Sequence, residues 1–136
     1  MKFIITLFLL GTSTASFGQI SEYEAVAKTV NYYLEGGTNS DKETLMKAFH
    51  EDADVRFVDD KGEYKSIKAS EFFGGMKPGP KSNRKTRIAN INITGHAANA
   101  HLVIESEDFE FNDYMTLLKI DGEWKIIMKI FFGEKR

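Results

Sequence analysis

Three short turns in the C-terminal part of this chain constrain its fold more than any other sequence feature. Gly95-His96, Glu107-Asp108 and Asp121-Gly122 separate segments in which apolar residues recur at every second position. Asp-Gly between two such segments is typical of a tight β-hairpin. If each turn is a two-residue loop, Thr94 lies opposite Ala97, Ser106 opposite Phe109, and Ile120 opposite Glu123. The residues from about 83 to 132 therefore predict four antiparallel strands.

The predicted register assigns the strand residues to two faces, because side chains alternate with period two along a strand. One face is almost entirely apolar and comprises Arg87, Ala89, Ile91, Ile93, Ala98, Ala100, Leu102, Ile104, Phe111, Asp113, Met115, Leu117, Trp124, Ile126, Met128 and Ile130. Three independent turns agree on this apolar face, so we expect it to meet the helices.

Two charged residues, Asp113 and Arg87, interrupt the apolar face. An ionised carboxylate among such neighbours is costly unless it is hydrogen-bonded, paired with a cation or hydrated in a cavity. Asp113 therefore belongs either to a salt bridge or helix cap, or to a pocket.

The opposite face of the predicted sheet is mixed. It comprises Ile88, Asn90, Asn92, Asn99, His101, Val103, Glu105, Asn112, Tyr114, Thr116, Leu118, Ile127, Lys129 and Phe131. The row Asn90, His101, Tyr114, Lys129 could hold a polar ligand or face solvent, but we expect this face to form a homodimer contact. A bulge in any strand would exchange the two faces beyond it.

The N-terminal half of the domain predicts helices around an early hairpin. Ser21 with Glu24 fits a capping box, and the helical spacing of apolar residues continues over 21–35 until Gly36-Gly37. A second helix follows and ends near His50; strands over 54–58 and 63–67, a short helix over 68–74 and a loop reaching Pro80 come next. The expected class is α+β, with helices covering one face of a curved, mostly antiparallel sheet.

The first eighteen residues have the order of a secretory signal. Lys2 precedes the apolar run Phe3–Leu10, and small residues follow. The run is far shorter than the ~20 residues that cross a bilayer. We therefore expect residues 1–18 to be removed, the domain to span 19–136, and the protein to be secreted or periplasmic with no membrane attachment afterwards.

Composition excludes several functional classes. The chain has no cysteine, which excludes disulfides, thiolate metal sites and a cysteine nucleophile. Its formal net charge of −2 argues against nucleic-acid binding. The residues around His50 are acidic, but neighbours in a turn rarely converge on one metal ion. We expect neither a metal nor a cofactor.

Five segments resemble a known family: Tyr33–Gly36, Ala48–Ala53, Asp113-Tyr114, Leu117–Ile126 and Lys129. Together they resemble the Putative lumazine-binding proteins, a branch of the nuclear transport factor 2-like superfamily that includes SnoaL-like polyketide cyclases. The resemblance implies a cone of three helices against a curved sheet, commonly dimeric, with a pocket between the helices and the concave face. Because the superfamily includes isomerases, dehydratases and cyclases as well as proteins of no known activity, it does not decide the function.

The candidate site combines a carboxylate with polar and aromatic side chains. Asp113 and His50 are the candidate catalytic residues; the candidate ligand-binding residues are Tyr33, Arg87, Phe57 and Trp124. The first hypothesis is an exported domain that binds a small molecule, aromatic or pterin-like, by stacking and a few polar contacts. The second is a cofactor-independent isomerase, dehydratase or cyclase with Asp113 as general base. The third is a protein-interaction module that uses the outer sheet face.

Overall fold

A six-stranded sheet in the computed structural model carries helices on one face. The structure describes residues 20–136, so the predicted signal segment lies outside the described residues. The elements are α1 (Glu22–Thr38), α2 (Lys42–Met46), β1 (Phe49–Val58), β2 (Tyr64–Lys68), α3 (Ala69–Phe72), β3 (Lys85–Thr94), β4 (Ala97–Glu105), β5 (Phe109–Ile120) and β6 (Glu123–Lys135). The strand order is β2-β1-β6-β5-β4-β3, and only the β1–β6 pair is parallel. The predicted α+β class is confirmed, although α3 follows the β1–β2 hairpin and is not N-terminal to all strands.

Helix α1 begins as predicted but ends later. Ser21 and Glu24 form the capping box in both directions. The helix continues through Gly36 and Gly37 to Thr38, so the predicted end at residue 35 is wrong. Gly36 is needed for packing, because a Cβ atom built on it would lie 2.6 Å from the Cα atom of Leu45 in α2. The missing side chain thus lets the two helices approach closely.

The second helix is shorter than its pattern predicts. It ends at Met46, and the backbone amide of Ile126 in β6 donates to the carbonyl of Ala48. Phe49 then pairs with Ile126, so pairing with a central strand takes the chain out of the helix. His50 consequently lies in β1 and not at a helix end, and the prediction of a helix reaching His50 is wrong.

The three turns place the strands in register as predicted. Thr94 pairs with Ala97 and Ile120 with Glu123, while the amide of Ser106 donates to the carbonyl of Phe109. Near these turns the apolar face is the predicted one, and its side chains form the core with α1 and α2. Its buried members on β4–β6 are Ala98, Ala100, Leu102, Ile104, Met115, Leu117, Trp124 and Ile126.

Two β-bulges, one in β3 and one in β6, reverse which side chains of these strands point toward the helices. Asn90 pairs with His101 but Ile88 with Leu102, which leaves Ala89 as an extra residue in β3. In β6, Ile126 pairs with Leu117 but Met128 with Thr116, which leaves Ile127 as an extra residue. Beyond each bulge the predicted faces are wrong.

Each bulge places a basic residue on the face opposite to the predicted one. Arg87 pairs with Val103 on the outer face and is exposed, so its predicted place on the apolar face is wrong. Lys129 pairs with Met115 on the inner face and is buried, whereas Ile130 now occupies the outer row beside Tyr114. The inner face gains a lysine that the alternation of the sequence assigns to the outside.

No helix within residues 20–136 is long and apolar enough to cross a membrane.

We expect Gly36→Ala to lower the free energy of unfolding by about 1–3 kcal/mol, because the added methyl group would overlap the α2 backbone. Urea denaturation followed by far-UV circular dichroism measures this change. Gly75→Ala is the control, since a Cβ atom there would meet nothing within 4 Å. Equal stability of the two variants would contradict the close approach.

Candidate functional site

A buried polar cluster lies between α1 and the inner face of the sheet. The hydroxyl of Tyr33 donates to Oδ2 of Asp113 over 2.5 Å, and Nζ of Lys129 lies 3.4 Å from Oδ1 of the same carboxylate. The three residues are 6%, 1% and 3% exposed, respectively. The expected burial of Asp113 is confirmed, and its partners are a cation and a hydroxyl group.

Each member of this Tyr33–Asp113–Lys129 cluster comes from a different element. Tyr33 lies on the buried stripe of α1, near its C-terminal end. Asp113 is on the inner face of β5, opposite Phe131 of β6. Lys129 reaches the same face only because Ile127 bulges out of the β5–β6 ladder. The cluster therefore depends on helix packing and on one strand irregularity.

Aromatic rings surround the ammonium group of Lys129. Its Nζ lies 3.6 Å from the ring centroid of Phe131 and 5.9 Å from those of Tyr33 and Phe72. Burial lowers the pKa of Lys129 to about 8, although the Asp113 carboxylate opposes the shift. The lysine thus exchanges its proton much closer to neutral pH than an exposed lysine does.

Tyr33 is held in its neutral form. Burial, reinforced by the Asp113 carboxylate, raises the pKa of Tyr33 well above its usual value. The hydroxyl therefore acts as a hydrogen-bond donor to the carboxylate at neutral pH. Arg84 supplies a second cation nearby: its guanidinium donates to the carbonyl of Leu34 and to Oγ1 of Thr38, both over 2.9 Å, at the C-terminal end of α1.

Aromatic rings connect the buried cluster to the surface. Tyr33 packs edge-on against Phe73, Phe73 against Phe72, and Phe72 against both Phe57 and Phe131. Phe57 and Phe131 lie 5.0 Å apart between ring centroids. Phe131 is thus the ring that touches both the Lys129 ammonium and the outer end of this path.

The outer end of the path opens into a hollow of about 630 Å³. The hollow lies where β6 runs beyond the end of its pairing with β1, between the β1–β2 turn and the start of β5. Its wall comprises Phe57, Val58, Asp59, Asp60, Gly62, Phe109, Phe111, Phe131, Phe132 and Gly133. Volumes of about 300–1,000 Å³ are typical of small-molecule sites. Asp113 does not line this hollow but lies behind the Phe131 ring.

The structure brings together some of the sequence-predicted site residues. Tyr33 and Asp113 are hydrogen-bonded, and Phe57 lines the hollow. Arg87 is exposed on the opposite face of the sheet, so it does not share this site.

His50 and Trp124 also lie apart from the cluster. Nδ1 of His50 accepts a local hydrogen bond from the amide of Asp52 over 3.1 Å. The indole of Trp124 donates to Glu22 over 2.7 Å at the start of α1. Trp124 precedes Phe131 by seven residues along β6, which corresponds to roughly 20 Å. Trp124 thus links β6 to α1, and it lines a different hollow of about 320 Å³.

Sequence reasoning assigned Lys129 to the outer face of the sheet and did not single out Arg84. The run Ile126-Ile127-Met128 breaks the alternation of apolar and polar residues, and such a break is the signal that could have indicated the bulge before Lys129. Arg84 had no comparable signal, because its partners are carbonyl and hydroxyl groups at a helix end. Among residues 20–136, no group of three or more His, Asp or Glu side chains is placed to hold a metal ion.

Comparisons with known proteins agree with this architecture. The sequence profile of the family described as Putative lumazine-binding matches residues 21–132. Aldolase FrzH from Cladobotryum sp. is 29% identical over 120 residues, which cover 85% of this chain and 94% of that protein.

Two solved structures have the same fold. An NTF2-like protein of unknown function from Shewanella baltica OS155 is 30% identical with a TM-score of 0.76, and covers 83% of this chain and 94% of that one. An NTF2-like protein of unknown function from Methylobacillus flagellatus KT is also 30% identical, with a TM-score of 0.72 and coverage of 87% and 96%.

The pKa of Lys129 predicts how stability depends on pH. The pKa is about 8 in the folded chain and about 10.4 in an unfolded one, so the unfolded chain binds more protons at this residue between these values. The cost of burying the ammonium is therefore present in full below pH 8 and diminishes as the pH rises. Relative to the Asp113→Asn/Lys129→Met double variant, we expect the free energy of unfolding of the native chain to rise from pH 8 to pH 10.

Urea denaturation at a series of pH values measures this difference. Lys125→Met is the control, because Lys125 lies on the same strand but pairs with Leu118 on the outer face. If the difference in the free energy of unfolding between the native chain and the double variant stays constant from pH 8 to pH 10, the lowered pKa of Lys129 is contradicted.

Proposed function

The chain belongs to the Putative lumazine-binding family, and we propose that it is an exported domain that binds a small planar aromatic molecule in the hollow at the end of β6. The observation that supports this proposal most directly is the aromatic wall of the hollow, which continues inward to a buried charged cluster. The apolar run of the N-terminal segment supports export.

The wall of the hollow suits a pterin-like ligand. Phe57, Phe111 and Phe131 offer ring faces and edges against which a planar heterocycle can stack. Asp59 and Asp60 lie in the same wall. Oδ1 of Asp59 already accepts from the amides of Lys61 and Glu63, whereas the Asp60 carboxylate can accept hydrogen bonds from ring N–H and amino groups. A few polar groups around an apolar wall are the usual means of fixing a ligand's orientation.

A second candidate function is catalysis without a cofactor. The buried Tyr33–Asp113–Lys129 cluster combines a carboxylate, an amine and a hydroxyl group within hydrogen-bond or ion-pair distance. Such groups can remove a proton beside a carbonyl and stabilise the resulting oxyanion. The name of the relative Aldolase FrzH supports carbonyl chemistry of this kind. The candidate reactions are those of an isomerase, a dehydratase or a cyclase.

We expect lumazine, used as the probe, to bind the native chain and to bind the Phe131→Leu variant about tenfold more weakly, because a stacking ring worth ~1–1.5 kcal/mol is lost. Lumazine fluorescence during titration measures the affinity. Phe73→Leu is the matched control: it removes a ring of the same aromatic path that does not line the hollow. Equal binding by the native chain and Phe131→Leu, or no binding at all, would contradict the proposed site.

The catalytic alternative is tested by combining the lumazine titration with a proton-exchange measurement. Asp113→Asn should spare lumazine binding, and it should abolish the exchange of α-protons of a ketone probe such as acetophenone with deuterated water if Asp113 is the base. The Asp113→Asn/Lys129→Met double variant repeats the measurement without an unpaired buried ammonium. Absence of exchange in the native chain would exclude this alternative and leave the binding function.

The outer face of the sheet supports a homodimer. Its exposed apolar residues are Val58, Tyr64, Tyr114, Leu118, Ile130 and Phe132. Most of them surround a shallow hollow of about 350 Å³. Arg56 beside this hollow is paired with Asp54 over 2.9 Å. A face of this kind can meet a second copy of itself without like-charge repulsion.

Native mass spectrometry of the exported chain is expected to give twice the mass of residues 19–136. We expect Tyr114→Glu to yield the monomer, because two carboxylates would face each other across the symmetric contact. Tyr23→Glu is the control on α1, where the side chain is similarly exposed. A native monomer would exclude the homodimer and leave this face to a different protein, and a mass that includes residues 1–18 would contradict signal removal.

A further inference from the structure

Lys129 has an incomplete set of polar partners. Among residues 20–136 its ion-pair partner is Oδ1 of Asp113, 3.4 Å away, and that buried oxygen accepts no hydrogen bond. An ammonium group has three N–H donors, and a buried one is costly unless those donors are used. The Tyr33–Asp113–Lys129 cluster therefore retains unused hydrogen-bonding capacity at both the amine and the carboxylate.

The amine lies directly behind the wall of the hollow. The ring of Phe131 contacts Nζ over 3.6 Å to its centroid, and the same side chain lines the hollow of about 630 Å³. Phe131 is only partly buried. A rotation of this one side chain, together with entry of a ligand, would bring a carbonyl group in the hollow to the amine.

We propose that Lys129 is a nucleophile that forms an imine with the carbonyl group of an aromatic aldehyde or ketone bound in the hollow. This inference rests on the proposed function and deepens it, because it assigns the ligand a reactive carbonyl. A lysine desolvated by apolar walls is a known arrangement for such chemistry. The rings that surround Nζ supply those walls, and the aromatic body of the ligand would stack where they reach the surface.

The proposed step needs no oxidant or reductant. The neutral amine of Lys129 attacks the carbonyl carbon, a C–N bond forms, and the π electrons of the carbonyl move to its oxygen. The Asp113 carboxylate carries a first proton from nitrogen to that oxygen, which gives the carbinolamine. It then carries the second proton from nitrogen to the new hydroxyl group. The C–O bond breaks, the nitrogen electron pair forms the C=N bond, and water leaves to give the neutral imine. Water later reverses the sequence and restores the lysine.

The protonation of Lys129 supports its reactivity. With a pKa of about 8, this amine is neutral in a far larger share of molecules at pH 7 than an exposed lysine with a pKa of about 10.4. The ratio of the two neutral shares is roughly 200-fold. Tyr33, which stays protonated, can stabilise Asp113 throughout the transfer.

Reductive trapping with benzaldehyde and sodium cyanoborohydride at pH 7 tests the inference on the full exported chain. The reductant converts an imine to a stable secondary amine, which peptide mass spectrometry locates. We expect Lys129 to be benzylated at least tenfold faster than any other lysine, and lumazine to protect it by occupying the hollow.

Two variants complete the experiment. Lys129→Arg keeps the cation and should abolish the fast phase, whereas Lys125→Arg, on the same strand and the outer face, should leave it unchanged. Labelling of Lys129 no faster than that of the other lysines would overturn the inference. If lumazine still binds in that case, the binding function stands and only the imine is wrong; if lumazine does not bind, the proposed ligand site fails by itself.

Discussion

The burial of one carboxylate organises this protein. Asp113 is 1% exposed on the inner face of the sheet, where an unpartnered charge would be very costly. Its two oxygens are directed at groups from different elements, the hydroxyl of Tyr33 on α1 and the ammonium of Lys129 on β6. The same contacts that make the charge tolerable also attach the long helix to the centre of the sheet, so the fold and the candidate chemistry share one set of atoms.

The β-bulges at Ala89 and Ile127 distribute charge between the two faces of the sheet. The bulge at Ala89 leaves Arg87 exposed on the outer face, and the bulge at Ile127 places Lys129 beside Asp113 on the inner face. Because of the second bulge, Ile130 and not Lys129 pairs with Tyr114 on the outer face. A single inserted residue therefore completes the buried ion pair and, at the same time, makes the outer face more apolar.

The two faces of the sheet consequently differ in shape and in the side chains they present. The inner face ends in a series of rings that run from Tyr33 to Phe131 and meet solvent in a hollow of small-molecule size. The outer face is broad and shallow, with Tyr114 and Ile130 exposed, and its Phe132 also reaches the wall of the hollow.

The sequence by itself determined the class of the fold, the four-strand meander, the register at its three turns and the burial of Asp113, since all of these follow from local turn chemistry and from the alternation of side chains. The sequence did not determine where the inward–outward alternation of side chains is interrupted. Ala89 and Ile127 leave the ladder, α2 ends at Met46, and α1 stays helical through Gly36 and Gly37. Tertiary structure alone therefore placed Lys129 beside Asp113 and put Arg87, His50 and Trp124 elsewhere, because contacts between residues distant in sequence decide which side of a bulged strand faces the core.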